Sequence, residues 1–276
     1  MRNNRVTGFL AGMDIRLAAL VVQVLVSLAF SLMGSFLPLF LETELKYPLI
    51  EATYWTGIAQ LISSSLYAFT APFWGSMCDR VGIKKITMMV LAANAVVYAG
   101  MGLSHNIIEI LLFRGLQGSF GGMSTAMFAL VAIIVPASEL KQALSYQMAM
   151  MTMGSLVGPG IGGLLASVVG YRLTFIVSAF LFLSIVPLMF LVNVPSPSRK
   201  EDRASRFNKS DFKAIMPDII SLILVYACIG FIAPTIPWFL RTLGIPNEQL
   251  LTYTALSTIL NGLAFIAATP LFTKIV

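Results

Sequence analysis

The sequence predicts an all-α polytopic membrane protein, and three observations carry that expectation. Hydrophobic residues make up 58% of the 276 and charged residues only 11%, far below the roughly 25% typical of soluble domains. Mean hydropathy is +0.87. The apolar residues gather into unbroken runs longer than the roughly 18 residues that signal a spanning helix, without the alternation of membrane strands. Eight helices are expected in order, at about 17–41, 52–77, 86–104, 107–135, 143–168, 171–194, 217–240 and 252–275.

The first run follows Arg2, Arg5 and Arg16. It is far longer than the roughly 7–15 residue core of a signal peptide, so it reads as a retained helix. Within it Gln23, Ser27, Ser31 and Ser35 fall at four-residue steps, and in the second run Gln60, Ser63 and Tyr67 share a face. Such stripes turn away from lipid, either to line a substrate cavity or to hydrogen-bond between helices. The second and third runs are separated by the stretch Gly75 to Lys85, reading GSMCDRVGIKK. Its charges, Asp79, Arg80, Lys84 and Lys85, cannot sit in lipid, so the stretch is expected to be a short loop at one face, with Gly82 free to take a positive φ.

Arg114 lies about two turns, roughly 10 Å, into the fourth run. An Arg at the bilayer centre costs about 2.5–3.5 kcal/mol on insertion scales, so it either faces a cavity or bundle interior or snorkels to the surface. Glu109 is about 140° around the helix from it and is a poor direct partner. In the fifth run Gly154, Gly158 and Gly162 recur every four residues. They clear a strip on which another backbone can approach closely, and Pro159 adds a bend. Met148, Met150, Met151 and Met153 offer a plastic surface for varied apolar substrates, or core filler.

With the N-terminus placed inside, fourteen of the eighteen Lys and Arg fall on the cytoplasmic side. Only Lys46, Arg172 and Arg241 fall outside, and Arg114 is within a helix, so the positive-inside bias predicts a cytoplasmic N-terminus. Residues 195–216 change to Ser, Pro and mixed charge, the composition of a solvated linker. Beyond them the pattern restarts. Phe36-Leu37-Pro38-Leu39-Phe40-Leu41 matches Thr235-Ile236-Pro237-Trp238-Phe239-Leu240, and Thr53-Tyr54 matches Thr252-Tyr253, both 199 residues on. Ala71-Pro72-Phe73-Trp74 matches Thr269-Pro270-Leu271-Phe272 at an offset of 198. The expected organisation is a six-helix bundle over 1–194, a cytoplasmic linker over 195–216, and the first two helices of a second bundle over 217–276. A duplication at this spacing predicts a full protein of about 400 residues and twelve helices, monomeric at that length.

Several function classes are excluded. Cys78 and Cys228 define neither a disulfide framework nor a metal site. The basic residues follow the loops rather than forming a stripe with aromatics, so the net charge of +6 reflects membrane orientation and not nucleic acid. The sole histidine, His105, has no nucleophile or metal-ligand cluster about it, which argues against an enzyme, and no cofactor is expected.

Three stretches in order, the GSMCDRVGIKK turn, Leu112-Phe113-Arg114-Gly115-Leu116-Gln117-Gly118, and Gly154-Ser155-Leu156-Val157-Gly158-Pro159-Gly160-Ile161-Gly162-Gly163, resemble motifs A, B and C of the major facilitator superfamily. The third is similar to the GxxxGPxxGG motif of its drug:proton antiporters. Met77-Cys78 stand where that family usually has Leu-Ala. The resemblance implies a cytoplasmic-membrane carrier of a prokaryote, exchanging amphipathic drug-like compounds for protons by alternating access. It assigns Gly75, Asp79, Arg80, Gly82, Lys84 and Lys85 to a gate, and Arg114, Gln117 and Gly118 to a coupling network. Gly154, Gly158, Pro159, Gly162 and Gly163 become a packing motif. Gln23, Ser27, Ser31, Gln60, Tyr67, Met150 and Met153 are candidate cavity residues. No central Asp or Glu occurs in the first six predicted helices, so the proton carrier is Asp79 indirectly, Glu109, or a residue elsewhere. The alternatives are an importer of a small polar solute and a non-transporting interaction protein.

Overall fold

The computed structural model describes residues 15–191, 216–217, 235–246, 249–257 and 259–260, apart from the side chains of residues 15, 123–125, 190 and 191. The expected linker and most of the seventh and eighth predicted helices lie outside the described residues. The described chain is helical, with no strands. Its elements are α1 (Ile15–Ser31), a 3-10 turn (Gly34–Phe36), α2 (Leu37–Thr43), α3 (Leu49–Val81), α4 (Ile83–Leu103), α5 (Ile107–Ser119), α6 (Met123–Ile134), α7 (Leu140–Val169) and α8 (Tyr171–Leu191). Residues 235–242, 249–257 and 259–260 are also helical.

The expected boundaries hold for α4, α7 and α8 to within a few residues, and fail in three informative places. The first run is not one helix. Pro38 lacks the N–H an interior helical position would need, and it sits instead in the first turn of α2. The turn between α1 and α2 is closed by Phe36 N–H donating to Met33 O at 3.2 Å.

The second run continues through Met77, Cys78, Asp79 and Arg80, so the charged stretch is helix rather than loop. A helix of 33 residues is about 50 Å long and overshoots a hydrocarbon core of about 30 Å, which lets its charged end stay helical outside lipid. Gly82 alone, at φ 99°, joins α3 to α4. That region is closed to residues with a Cβ except under strain.

The fourth run breaks at Phe120-Gly121-Gly122. A break frees backbone carbonyls that must find donors. Trp74 Nε1 donates to Ser119 O at 2.6 Å, and Asn94 Nδ2 donates to Phe120 O at 3.1 Å. Gly121 lies against the Tyr67 ring and Gly122 against Trp74, so close that a Cβ at either would overlap the ring.

Among the described residues, four stretches are long and apolar enough to cross a membrane: Arg16–Thr43, Ile83–Leu103, Leu140–Val169 and Tyr171–Met189. Where α1, α4 and α8 meet, Phe30, Tyr98 and Phe182 form an aromatic cluster, with Phe30 and Phe182 4.8 Å apart and Tyr98 and Phe182 5.1 Å apart. Rings at these separations and tilts gain about 0.5–1.5 kcal/mol beyond their buried area.

Helices α1 and α7 run parallel. Gln147 Nε2 donates to Gln23 Oε1 at 2.9 Å, and Ser31 Oγ donates to Gly154 O at 3.0 Å, 124 and 123 residues apart in sequence. The two ends of the bundle differ in charge. One end carries Arg16, the α3–α4 junction and the α6–α7 connection, and is called the basic end. The other carries Glu42, Glu44 and Arg172, and is called the acidic end.

Candidate transport site

The motifs fall into a central polar network, a helix seam and two charged ends. In the centre, Arg114 on α5 is only 7% exposed. Its Nη1 donates to Gln117 Oε1 at 3.1 Å, Gln117 Nε2 donates to the Tyr98 hydroxyl at 3.0 Å, and that hydroxyl donates to Phe30 O at 2.8 Å. The chain of bonds ties α5 to α4 and α1. Arg114 Nε is buried without a hydrogen-bond partner. The one acceptor found for this guanidinium, Gln117 Oε1, is neutral, and among the described residues no carboxylate pairs with it, an arrangement sensitive to any charge brought near it.

Glu109 is occupied elsewhere. Asn106 Oδ1 accepts from Glu109 N–H at 2.9 Å, and Glu109 Oε2 accepts from His105 N–H at 2.8 Å, a reciprocal cap on the start of α5. Gly118 brings α5 onto the backbone of Ser63 in α3, close enough that a Cβ there would overlap it.

The α1–α7 seam uses the glycine strip. A Cβ on Gly154 would lie 2.6 Å from Ser27 Cβ, one on Gly158 2.9 Å from Ser31 Cβ, and one on Gly162 would overlap the Leu32 backbone. Pro159 is buried beside them. The opposite edge of α7 meets the second half of the chain. A Cβ on Gly163 would lie 2.6 Å from Ala255 Cβ, and Gly160 lies against Ile259.

Gln23 and Ser27 are buried within this seam, where Gln23 Nε2 donates to Ser27 Oγ at 3.1 Å, and Ser31 bonds across it to the Gly154 carbonyl. The structure therefore places these three between helices. Gln60 is exposed on α3, where it donates to Ser64 Oγ at 3.1 Å, with Tyr67 on the same exposed face. Met153 is exposed on α7, and Met150 is half-buried.

At the basic end, Asp79, Arg80 and Lys85 are exposed, whereas Gly75 and Lys84 are half-buried. None of the ion pairs found among the described residues includes Asp79 or Arg80. Nearby, Arg16 Nη1 and Glu139 Oε2 pair at 2.8 Å with both side chains about half exposed. They border a cavity of about 210 Å³ floored by Leu20, Val131, Ile134 and Val135.

At the acidic end the pairs are drier. Arg241 Nη1 and Nη2 donate to Glu42 Oε1 and Oε2 at 2.6 and 3.1 Å. Arg172 Nε donates to Glu44 Oε2 at 2.8 Å, and its Nη1 donates to Gly102 O and Ser104 O, both at 3.0 Å. That guanidinium also lies over the Phe40 ring, 5.8 Å from its centroid.

Sequence reasoning missed Tyr98, Gln147 and the Glu42–Arg241 pair as site residues. The first two are polar groups in apolar runs, which is a usable signal. The third could be read only by carrying the 199-residue offset one position past Leu41.

The Major Facilitator Superfamily profile matches residues 19–276. The chain is 30% identical over 253 residues to the multidrug resistance protein MdtG of Proteus mirabilis (strain HI4320), covering 89% of this chain and 63% of the relative. It is 31% identical over 253 residues to MdtG of Yersinia enterocolitica serotype O:8, covering 90% of this chain and 61% of the relative. The chain thus spans a little under two thirds of the length of these relatives. Its fold is similar to the crystal structure of a bacterial homolog of the human lysosomal transporter Spinster in an inward-facing and occupied conformation. That match has a TM-score of 0.67 at 16% identity and covers 89% of this chain and 58% of that one. It is also similar to the nucleoside transporter NupG, with a TM-score of 0.66 at 11% identity, covering 95% of this chain and 68% of that one. A profile match over nearly its whole length, on an all-α multi-pass fold shared with solved transporters, means that the chain belongs to the Major Facilitator Superfamily.

Proposed function

We propose that this chain forms the first bundle, the linker and the start of the second bundle of a secondary active transporter. It exports amphipathic drug-like compounds in exchange for protons by alternating access, in the cytoplasmic membrane of a prokaryote. The observation that carries the reading is Arg114, a guanidinium buried in a membrane bundle and bonded, among the described residues, to the neutral Gln117 amide. Such a group is costly to keep unless its charge is used. The relatives named multidrug resistance proteins support the substrate class. The excess of Lys and Arg at the basic end supports a cytoplasmic N-terminus, which makes the acidic end the outer one.

In this reading the Arg114–Gln117–Tyr98 chain senses charge at the centre, and a proton or substrate arriving nearby changes which hydrogen bonds it can keep. The α1–α7 seam, locked backbone to backbone by Gly154, Gly158 and Gly162, moves as one body. Asp79, Arg80, Lys84 and Lys85 form the inner gate, which engages the second bundle when that side closes. The partners are protons, a small molecule and the bilayer, and the working unit is a monomer.

The test is proton movement in proteoliposomes on addition of a drug panel. Drug-dependent proton flux that falls at least about tenfold in Arg114→Lys supports the reading, because Lys keeps the charge and loses the planar fork. Flux in neither protein with any compound contradicts it.

A further inference from the structure

We infer that the cavity beside Arg16 and Glu139 at the basic end binds an amphipath whose head carries both an ammonium and a phosphate. Its apolar part rests on the floor below. The site goes beyond the transport reading and does not depend on it.

The first observation is where the cavity lies. Arg16 opens the apolar stretch Arg16–Thr43, and Glu139 stands one residue before the stretch Leu140–Val169. The cavity is therefore at the level where hydrocarbon gives way to polar headgroups. Its walls are the start of α1, the end of α6 and the start of α7. Groups at that level meet molecules with one apolar and one charged end.

The walls match that profile. Val131 and Val135 are buried and Leu20 and Ile134 half-buried, a floor for methylene groups. An apolar cavity of about 150 Å³ already holds a benzene ring, so the volume of about 210 Å³ here takes a small head with its first methylenes. A longer chain stays outside.

The charges decide which head. Basic pockets between membrane helices take anionic headgroups. Here, of the described residues that line the cavity, the charged ones are one cation and one anion, Arg16 and Glu139. A head of single sign satisfies one of them and is repelled by the other. A zwitterionic head serves both, with its phosphate on the guanidinium and its ammonium on the carboxylate. The existing pair can part to admit it, because both side chains are about half exposed and such pairs are weakly held. On the α7 side the Tyr146 hydroxyl accepts from Gln142 Nε2 at 3.2 Å, and its own proton can go to a phosphate oxygen. A bilayer phospholipid and a soluble single-chain compound both offer this head.

Binding to the purified chain in detergent, read by native mass spectrometry, tests the site. The probes are dihexanoyl phosphatidylethanolamine, hexyl phosphoethanolamine and, as the anionic counterpart, dihexanoyl phosphatidylglycerol. At least one ethanolamine probe should bind about tenfold or more tighter than the glycerol probe. Preference confined to the two-chain probe makes the bilayer the source, and preference confined to the single-chain probe makes it a soluble compound. Glu139→Gln should weaken ethanolamine binding about fivefold and leave the glycerol probe as tight or tighter, a change of preference that general loosening of the bundle would not produce. Ala143→Phe, which fills the cavity from α7, should abolish ethanolamine binding, and Leu20→Phe does the same from α1 if that variant fails to insert. A parent that favours neither ethanolamine probe overturns the site. So does an unchanged head preference in Glu139→Gln, or full binding once the cavity is filled.

Discussion

The two ends of this bundle carry charge in opposite ways. At the acidic end Glu42, Glu44, Arg172 and Arg241 are each about a third exposed or less and are locked into short pairs. Arg172 also closes off carbonyls at the end of α4, where a cation is favoured by the helix dipole. At the basic end Arg16 and Glu139 pair in the open, and Asp79 and Arg80 stand exposed at the end of α3. Partly dehydrated pairs with fixed geometry hold structure together, whereas exposed charges gain little from one another and stay available to new partners. The difference teaches that one end holds its charges in fixed, partly dehydrated pairs and the other leaves Asp79 and Arg80 exposed.

Substitutions can break that contrast, and the largest effect should come from the seam both ends depend on. Gly158→Leu would drive a side chain into Ser31 and part α1 from α7. A loss of about 3 kcal/mol or failure to accumulate in membranes is expected, read by the yield of monodisperse protein. Arg172→Ala comes next. It strips the Glu44 pair and frees two carbonyls, for a cost of about 1–2 kcal/mol after allowing for exposure, visible as a lowered midpoint of thermal unfolding in detergent. Glu139→Gln should be smallest, at most about 0.5 kcal/mol, because its pair is exposed and screened, and the same melting experiment checks it. An effect of Glu139→Gln as large as that of Arg172→Ala would erase the distinction between the ends.

Much of this organisation is legible in the sequence. Run length alone located α4, α7 and α8, because a helix in lipid must satisfy its own backbone and cannot stop midway without cause. The four-residue glycine spacing identified α7 as a helix another backbone could touch, although it could not name α1. What stayed hidden was non-local. The breaks near Gly34 and Gly121 leave no mark in hydropathy, since the groups that satisfy or cover the second, Trp74, Asn94 and Tyr67, come from α3 and α4. The charged stretch before Gly82 looked like a loop because polarity marks the edge of lipid and not the end of a helix. Arg114 was found by its cost in the membrane, whereas its contact through Gln117 to Tyr98 joins different helices and has no signature in spacing.

Asp79 offers the most direct measurement of whether the exposed end is a working gate. Asp79→Asn changes one charge on a side chain that takes part in none of the ion pairs found among the described residues. Its melting midpoint should match that of the parent, while drug-driven proton flux in proteoliposomes should fall several-fold. Flux equal to the parent at equal protein incorporation would contradict the account.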